Sequence, residues 1–252
     1  MKISPFAFVK ISFLIIILGF FFIQCKKDVT TTTKTNPVQP NPLAFTKAEI
    51  DTVRKADSAT AMRILIIFVH PDSLILRTPS KDVIVGDTLI KRLTDRMYTA
   101  VKHANGVGIA APQVGICRKI IWVQRYDKGT LTNKPFEVYL NPKITAYSDT
   151  VVRRMDGCLS VPQTTGYPVV IDSSYRAIWV DVEYTLPNGT FIHERVKQWY
   201  TAQIFQHEID HLYGKMYFDN YVSKHKNRFT ILSANNKEEK EIGIPKDRMN
   251  NM

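Results

Sequence analysis

Hydrophobic residues recur at every fourth position in one segment of the chain. Leu89, Leu93, Met97 and Val101 share this spacing, which places their side chains one above another on a single face of a helix. The pattern predicts an amphipathic helix over residues 88–104. Its apolar face would pack against the core of a globular domain.

Other segments show the alternation of apolar and polar residues that is typical of half-buried strands. Residues 178–184 alternate in this way, and residues 191–196 follow them after a Pro-Asn-Gly turn at residues 187–189. These two segments are predicted to form a hairpin. Apolar and aromatic residues also predict strands at residues 119–126 and 136–140.

The segments that flank this region differ from it in pattern. Thr46 and Glu49 fit a capping box, which predicts a helical N-terminal extension over residues 46–62. The compact domain is predicted to cover residues 63–223. Residues 224–252 hold few large apolar side chains and are predicted to form a polar C-terminal tail.

A leader sequence is predicted at residues 1–25. Its apolar run over residues 11–23 would span roughly 20 Å as a helix, which is short of a bilayer core of about 30 Å. The run ends at Cys25 and resembles a bacterial lipoprotein signal, although Gln24 stands where a small residue is usual. An uncleaved anchor or a misassigned start is the alternative. Residues 26–45 are rich in threonine and proline and are predicted to be a linker.

The net charge of +11 would permit contact with nucleic acid or anionic lipid. The sequence shows no arginine-rich helix, zinc finger or interleaved aromatic-basic stripe, and its lysines are scattered. We therefore expect no sequence-specific binding of nucleic acid. The three cysteines are too few, and odd in number, for a disulfide framework.

The strongest chemical signal is Gln-His-Glu-Ile-Asp-His, within a predicted helix over residues 198–212. His207 and His211 are four residues apart, so both imidazoles lie on the same face and can reach one metal ion. Glu208 follows the first histidine directly, where it can act as a general base. The same pattern occurs by chance in ordinary helices. A catalytic metal also needs a third protein ligand elsewhere in the chain.

Two other motifs bear on this interpretation. Cys158, in the turn-rich sequence Asp-Gly-Cys-Leu-Ser-Val-Pro, is either the third ligand as a thiolate or an inert buried cysteine. Residues 106–113 read Gly-Val-Gly-Ile-Ala-Ala-Pro-Gln, and their small side chains allow another backbone to approach. This segment is either a tight turn beneath the core or a wall along which an extended peptide lies. In the second case Gln113 would offer an amide donor.

Together and in this order, the motifs G-x-G-x-A-A-P-Q, x-G-C-L-S and Q-H-E-x-D-H resemble those of the peptide deformylase family. The similarity covers residues 64–222. The resemblance implies an α+β fold in which antiparallel sheets surround a central helix that carries H-E-x-x-H. It also implies a hydrolase that uses one divalent metal ion to remove the formyl group from N-formylmethionine. Ferrous iron is the expected metal, with Zn²⁺ or another divalent ion as the alternative.

The resemblance also implies roles for individual residues. The metal ligands would be Cys158, His207 and His211. Glu208 would be the general base and then the general acid, and Gln113 and the backbone N–H of Leu159 would stabilise the oxyanion. The substrate-binding residues would be Val107, Gly108, Asp156, Tyr200 and Ile204. Val107 would pair its backbone with the peptide, and Gly108 would leave room for it.

Three positions depart from the family pattern. Asp156 stands where the family has a glutamate, whose side chain is one methylene longer. No arginine occurs at residues 169–172, so the ion pair that the family makes with this carboxylate is expected to be lost or rearranged. Trp199 occupies a position where the family prefers glycine. These departures affect the expected substrate preference and leave the metal ligands unchanged.

Three functions fit the sequence. The first is a bacterial, monomeric deformylase that acts on N-formylmethionyl peptides or nascent chains. The second is a divergent metallo-peptidase or amidase that acts on another acyl peptide. The third is a non-catalytic binding protein anchored to the cell envelope, although an inactive copy has no chemical reason to keep both Glu208 and Gln113. The leader predicts attachment of the N-terminus to a membrane of the envelope; without it, a cytoplasmic location is expected.

Overall fold

The computed structural model describes residues 41–162, 173–219 and 230–232. Its α-helices are α1 (Lys47–Arg54), α2 (Asp72–Leu76), α3 (Thr88–His103) and α4 (Trp199–Leu212), and a 3-10 helix covers Ala111–Val114. Its strands are β1 (Gly108–Ala110), β2 (Ile120–Gln124), β3 (Phe136–Tyr147), β4 (Thr150–Met155), β5 (Ser173–Ala177), β6 (Val180–Thr185), β7 (Phe191–Val196) and β8 (Thr230–Leu232).

These strands form two sheets. The larger sheet has the strand order β1-β2-β3-β6-β7, and each neighbouring pair is antiparallel. The smaller sheet has the order β5-β4-β8, in which β4 is antiparallel to β5 and parallel to β8. Because β8 lies within the predicted polar tail, part of that tail joins a sheet. The predicted α+β class with antiparallel sheets is confirmed.

The segments with the clearest periodicity adopt the predicted elements. α3 is capped by Asp87, whose carboxylate accepts a hydrogen bond from the backbone N–H of Leu89. The predicted apolar face of α3 is buried at all four positions: Leu89, Leu93, Met97 and Val101. β6 and β7 form the predicted hairpin, and alternate residues of β6 are buried. Spacing alone was therefore enough to locate these elements.

α4 packs against strands of both sheets. All residues from Thr201 to Leu212 are buried, so the polar side chains of this helix need partners within the protein. The Gln206 amide accepts from the backbone N–H of Ala177 and donates to the Ala177 carbonyl, both at 2.9 Å. These two hydrogen bonds join α4 to β5.

α1 is shorter than predicted. It begins at the predicted capping box, in which the Thr46 hydroxyl accepts from Glu49 N and the Glu49 carboxylate accepts from Thr46 N. It ends at Arg54, whereas the prediction continued to the end of the extension. The Asp57 carboxylate accepts hydrogen bonds from the backbone N–H and the hydroxyl of Thr60. This local turn competes with continuation of the helix.

The segment around α1 is part of the folded domain, which corrects the boundary predicted at residue 63. Phe45 and Val53 belong to the same hydrophobic cluster as the buried face of α3. The buried Arg118 donates to the Glu49 carboxylate at 2.7 and 2.8 Å and to two backbone carbonyls that precede α1. Because Arg118 lies just before β2, these bonds fasten α1 to the larger sheet.

Four short strands were not predicted: β1, β4, β5 and β8. β1 has three residues, Gly-Ile-Ala, which are too few to show alternation. β4 and β5 contain arginine and serine among their apolar residues, so their composition resembles a surface segment. β3 was predicted to end near residue 140 but continues to Tyr147, beyond a shift in pairing register between Leu140 and Lys143.

Within the described residues, no helix has the length and apolar character required to cross a membrane. The predicted leader at residues 1–25 lies outside the described residues. So do residues 26–40 of the predicted linker and most of the predicted tail.

Candidate active site

Cys158, His207 and His211 lie close together beside α4. The two histidines are about one turn apart on this buried helix, and Cys158 lies in the turn that follows β4. The potential ligand atoms of the three side chains all lie within 4.8 Å of one another, and Cys158 Sγ is 3.2 Å from His211 Nε2. The structure thus brings together the three residues that were predicted to bind a metal.

This donor set suits a divalent metal ion. A thiolate and two imidazoles are known ligands of zinc, and they also suit ferrous iron. Metal–sulfur and metal–nitrogen bonds of about 2.3 and 2.1 Å allow a sulfur and a nitrogen that are 3.2 Å apart to share one ion. Three protein donors leave room for a further ligand, as catalytic sites require.

Asp156 orients His207. Asp156 Oδ1 lies 2.7 Å from His207 Nδ1, and Oδ2 accepts hydrogen bonds from Ser174 and Arg176. Burial alone would raise the pKa of Asp156, but His207 and Arg176 lower it far below its usual range. The ionised carboxylate makes Nδ1 the donor and leaves Nε2 free for a metal. The carboxylate predicted to bind substrate is therefore engaged by protein side chains, although Asp156 does line the adjoining cavity.

The ion pair between Asp156 and an arginine was predicted to be lost or rearranged, and the structure shows a rearranged pair. Arg176 on β5, beyond the segment in which an arginine was sought, donates to Asp156 at 2.9 Å and also to Asp210. Burial alone would lower the pKa of Arg176, but the two carboxylates raise it. Arg176 therefore stays charged and connects β5, the end of β4 and α4.

Glu208 is buried beside the cluster, and its Oε2 has no hydrogen-bond partner in the described part of the chain. Burial raises the pKa of Glu208 to about 7, a value that suits a group that takes up and returns a proton near neutral pH. A Cβ added at Gly108 would lie 2.4 Å from Glu208 Oε1. Gly108 therefore makes room for Glu208, whereas the sequence predicted that it makes room for substrate.

Two potential donors to an oxyanion lie next to the cluster. Gln113 Oε1 accepts from Ala110 N at 2.8 Å, which orients the amide so that Nε2 faces Cys158 Sγ at 3.6 Å and the Ser160 hydroxyl at 3.3 Å. The backbone N–H of Leu159 has no acceptor among the residues that are described. Both groups can therefore donate to a ligand bound at the cluster.

A cavity of about 550 Å³ adjoins the cluster. All five predicted substrate-binding residues lie on its wall: Val107, Gly108, Asp156, Tyr200 and Ile204. Gln203 also lies on the wall, and the sequence interpretation missed it. Its position four residues before His207 on α4 would have identified it, because residues at this spacing share a helix face.

Among the described strands, β1 lies at one edge of the larger sheet, beside this cavity. The Val107 carbonyl accepts a hydrogen bond from Gln124 N at 2.8 Å, so the backbone of Val107 points toward β2. Because backbone groups alternate in direction along a strand, those of Gly108 point away from β2. The Val107 carbonyl is therefore already paired with β2, whereas the backbone groups of Gly108 face the edge of the sheet.

A cysteine sulfur and two imidazoles within reach of one ion, with a buried carboxylate next to them, are the groups that a metal-dependent hydrolase uses. The family model for polypeptide deformylase matches residues 64–227. The chain belongs to this family, whose members are enzymes that remove the formyl group from nascent polypeptides.

Individual relatives agree with the family match. The peptide deformylase of Leptospira biflexa is 37% identical over 153 residues, which cover 58% of this chain and 81% of the relative. The class I type b peptide deformylase from Acinetobacter baumannii with Met-Ala-Ser bound is 29% identical, with a TM-score of 0.53. The match covers 63% of this chain and 97% of that one. A probable peptide deformylase from Synechococcus phage S-SSM7 is 31% identical, with a TM-score of 0.54. That match covers 64% of this chain and 100% of the phage protein.

Proposed function

We propose that this protein acts as a monomer to remove the formyl group from N-formylmethionine at the start of nascent polypeptides. The observation that carries the proposal is the buried carboxylate of Glu208 beside the cluster of Cys158, His207 and His211; its Oε2 has no hydrogen-bond partner among the described residues. Membership of the deformylase family supports the same reaction. The cavity beside the cluster offers space for the first residue of the peptide.

Cys158, His207 and His211 would hold one divalent metal ion. When bound, that ion would supply Lewis-acid chemistry that lowers the pKa of water and polarises the formyl carbonyl. Glu208 would accept a proton from the attacking water on its carboxylate. It would then return that proton to the amine nitrogen as the C–N bond breaks, which releases formate and a free amino terminus.

The remaining polar groups would stabilise charge and position the peptide. Gln113 Nε2 and the backbone N–H of Leu159 would donate to the formyl oxygen as it gains negative charge. Loss of one such donor typically reduces the rate by about 10²–10³. The backbone of Gly108 would pair with an extended peptide, whose first side chain would enter the cavity beside Tyr200 and Ile204.

The proposal is tested by formate release from formyl-Met-Ala-Ser with anaerobically purified, iron-loaded protein. Glu208→Gln should lower kcat/KM by about 10²–10⁴, since it removes the general base. Glu183→Gln is the control, because Glu183 pairs with Lys143 on the sheet surface and should keep wild-type activity. Turnover of other acyl peptides alone would favour a divergent peptidase or amidase. Binding of formyl peptides without any turnover would favour a non-catalytic binding protein.

We propose ferrous iron as the native metal, with Zn²⁺ or another divalent ion as the alternative. The support is the resemblance to the family, together with a thiolate that makes the donor set softer than three neutral ligands would. Metal analysis of protein purified without oxygen or added metal tests this. Iron close to one ion per chain is expected, and zinc in its place would contradict the proposal.

We also propose, from the sequence alone, that the N-terminus attaches the protein to the bacterial cell envelope. The support is the apolar run that ends at Cys25. Cells fed a labelled lipid precursor should label the wild-type protein and not Cys25→Ala. Equal labelling of both proteins, or none of the wild type, would contradict lipidation at this residue.

A further inference from the structure

A second cavity adjoins the one beside the candidate metal ligands. Its volume is about 590 Å³, and three residues line both cavities: Met155, Tyr200 and Gln203. Met155 ends β4, and the other two lie in the first half of α4. The two cavities are therefore neighbours along one wall of the molecule.

The second cavity is lined by two adjacent arginines of β4, Arg153 and Arg154. Arg153 Nε donates to the Ser173 hydroxyl at 3.0 Å. The Arg154 guanidinium lies over the ring of Trp199, 3.9 Å from the ring centroid. Trp199 lines the same cavity and stands where the family prefers glycine. This departure from the family pattern thus supplies the aromatic surface on which Arg154 lies.

Within the described residues, neither of these arginines has a carboxylate partner. Burial lowers the pKa of Arg154, and no neighbouring carboxylate raises it again. By contrast, Arg118, Arg125 and Arg176 all form ion pairs with carboxylates. A guanidinium that lies over an aromatic ring can still bind a carboxylate through its N–H groups. The second cavity therefore offers positive charge to an anionic group of a ligand.

An extended peptide would bring its third side chain to this cavity. Alternate side chains of a strand point to the same side and lie about 7 Å apart. When the backbone of Gly108 pairs with the peptide and the first side chain enters the cavity beside Tyr200, the third side chain lies on that same side. Because Tyr200 lines both cavities, the second cavity is the space that the third side chain would enter.

We propose that Arg154, held against Trp199, binds an acidic side chain at the third position of the formyl peptide. Arg153 adds a second positive charge to the same cavity. Methionine remains the first residue, and the preference concerns a position further along the peptide. Arg154 is only partly exposed, and contacts between arginine and a carboxylate are among the stronger hydrogen bonds. This inference rests on the proposed deformylase function, because it concerns the peptide whose formyl group lies at the cluster.

Formate release tests the proposal with formyl-Met-Ala-Glu and formyl-Met-Ala-Gln, both amidated at the C-terminus so that the third side chain carries the only carboxylate. In wild type, kcat/KM for the glutamate peptide should exceed that for the glutamine peptide by about fivefold or more. Arg154→Met should bring this ratio to about one. The wild-type ratio should also fall as salt is added, because salt screens charges that are partly exposed.

Arg195→Met is the matched control. Arg195 also lies over a tryptophan ring, 3.8 Å from the ring centroid of Trp179, but it lines neither of the two cavities. This variant should keep the wild-type ratio. The peptides formyl-Met-Glu-Ala and formyl-Met-Gln-Ala, also amidated, test the position, because a second side chain points to the other side of the strand. An equal advantage for glutamate at the second position, or an equal loss in Arg195→Met, would overturn the proposal.

Calorimetric binding of the amidated products Met-Ala-Glu and Met-Ala-Gln to the wild-type protein gives a readout that depends neither on turnover nor on folding of a variant. Tighter binding of the glutamate product by about fivefold or more is expected. If wild type releases formate from both peptides at equal kcat/KM, the role of Arg154 is overturned and the deformylase function stands. If wild type releases no formate from either peptide, the deformylase function fails, and equal binding of the two products would then overturn the role of Arg154 as well.

Discussion

At the scale of single residues, the candidate site is held by buried charges that depend on one another. Arg176 forms ion pairs with both Asp156 and Asp210, and Asp156 in turn holds His207. All four side chains are almost fully buried, so the loss of one charge leaves its partners unpaired in an environment that solvates ions poorly. The orientation of the His207 imidazole thus depends on Arg176, which lies outside the candidate metal ligands.

Arg176→Met is expected to destabilise the protein by about 3–5 kcal/mol, because it leaves two buried carboxylates without their cation. Metal affinity should also fall by about 10–100-fold as His207 loses its fixed orientation. Denaturant unfolding and competition with a chelator measure the two effects. Arg195→Met is the control, since Arg195 is 46% exposed in its pair with Asp181 and should cost at most about 1 kcal/mol. Equal decreases in unfolding free energy and in metal affinity for Arg176→Met and Arg195→Met would contradict the role assigned to Arg176.

Gly108→Ala should reduce activity much more than stability. The new Cβ would meet Glu208 Oε1 at 2.4 Å, so the carboxylate has to move away from the cluster. We expect kcat to fall by about 10²-fold or more, because general-base catalysis depends on position, while the unfolding free energy changes little. Wild-type kcat in this variant would show that Glu208 tolerates the displacement or is not the base.

At the scale of elements, the sequence predicted those whose pattern is local. The face of α3, the β6–β7 hairpin and the paired histidines of α4 all follow from spacing within a few residues. α1 was predicted to begin at the correct residue because its cap is local, but its end depends on a turn made by Asp57. β1 could not be predicted, because its three residues are too few to show a pattern and become a strand only through pairing with β2.

The attachment of α1 yields a prediction with a pH dependence. Burial alone would raise the pKa of Glu49, but Arg118 and Thr46 lower it below its usual value of 4.5. Because the pKa of Glu49 is lower in the folded state, the ionised carboxylate stabilises the fold at pH values above 4.5. This contribution is lost as the pH falls through the pKa of the folded state.

Glu49→Gln should therefore lower the unfolding free energy by about 1–3 kcal/mol near pH 7, and the difference from wild type should shrink below about pH 4. Amide hydrogen exchange should also become faster in residues 43–54. Asp51→Asn is the control on the same helix, since Asp51 and Lys47 are both largely exposed and their pair contributes at most about 1 kcal/mol. If Glu49→Gln lowered the unfolding free energy by the same amount near pH 7 and below about pH 4, an electrostatic attachment of α1 would be contradicted.

At the scale of the whole molecule, the features that escaped prediction are contacts between distant parts of the chain. Arg118 binds Glu49 across 69 positions and so places the N-terminal segment inside the domain. Arg176 reaches Asp156 across 20 positions and Asp210 across 34, so a search for an arginine at a fixed distance in sequence missed it. The ligand residues and Glu208 were identifiable because their motifs constrain residue type and spacing together. Their common location depends on the packing of α4 against both sheets.

The central claim is that Cys158 completes a metal site with the two histidines of α4. Its most direct test is the metal content of wild type, Cys158→Ala and Cys117→Ala after loading with ferrous iron and removal of free metal. Cys117 is also a free cysteine and lies outside the cluster, so wild type and Cys117→Ala should each retain one ion per chain. Cys158→Ala should retain much less than one ion per chain. Retention of one ion per chain by Cys158→Ala at undiminished affinity would contradict the account.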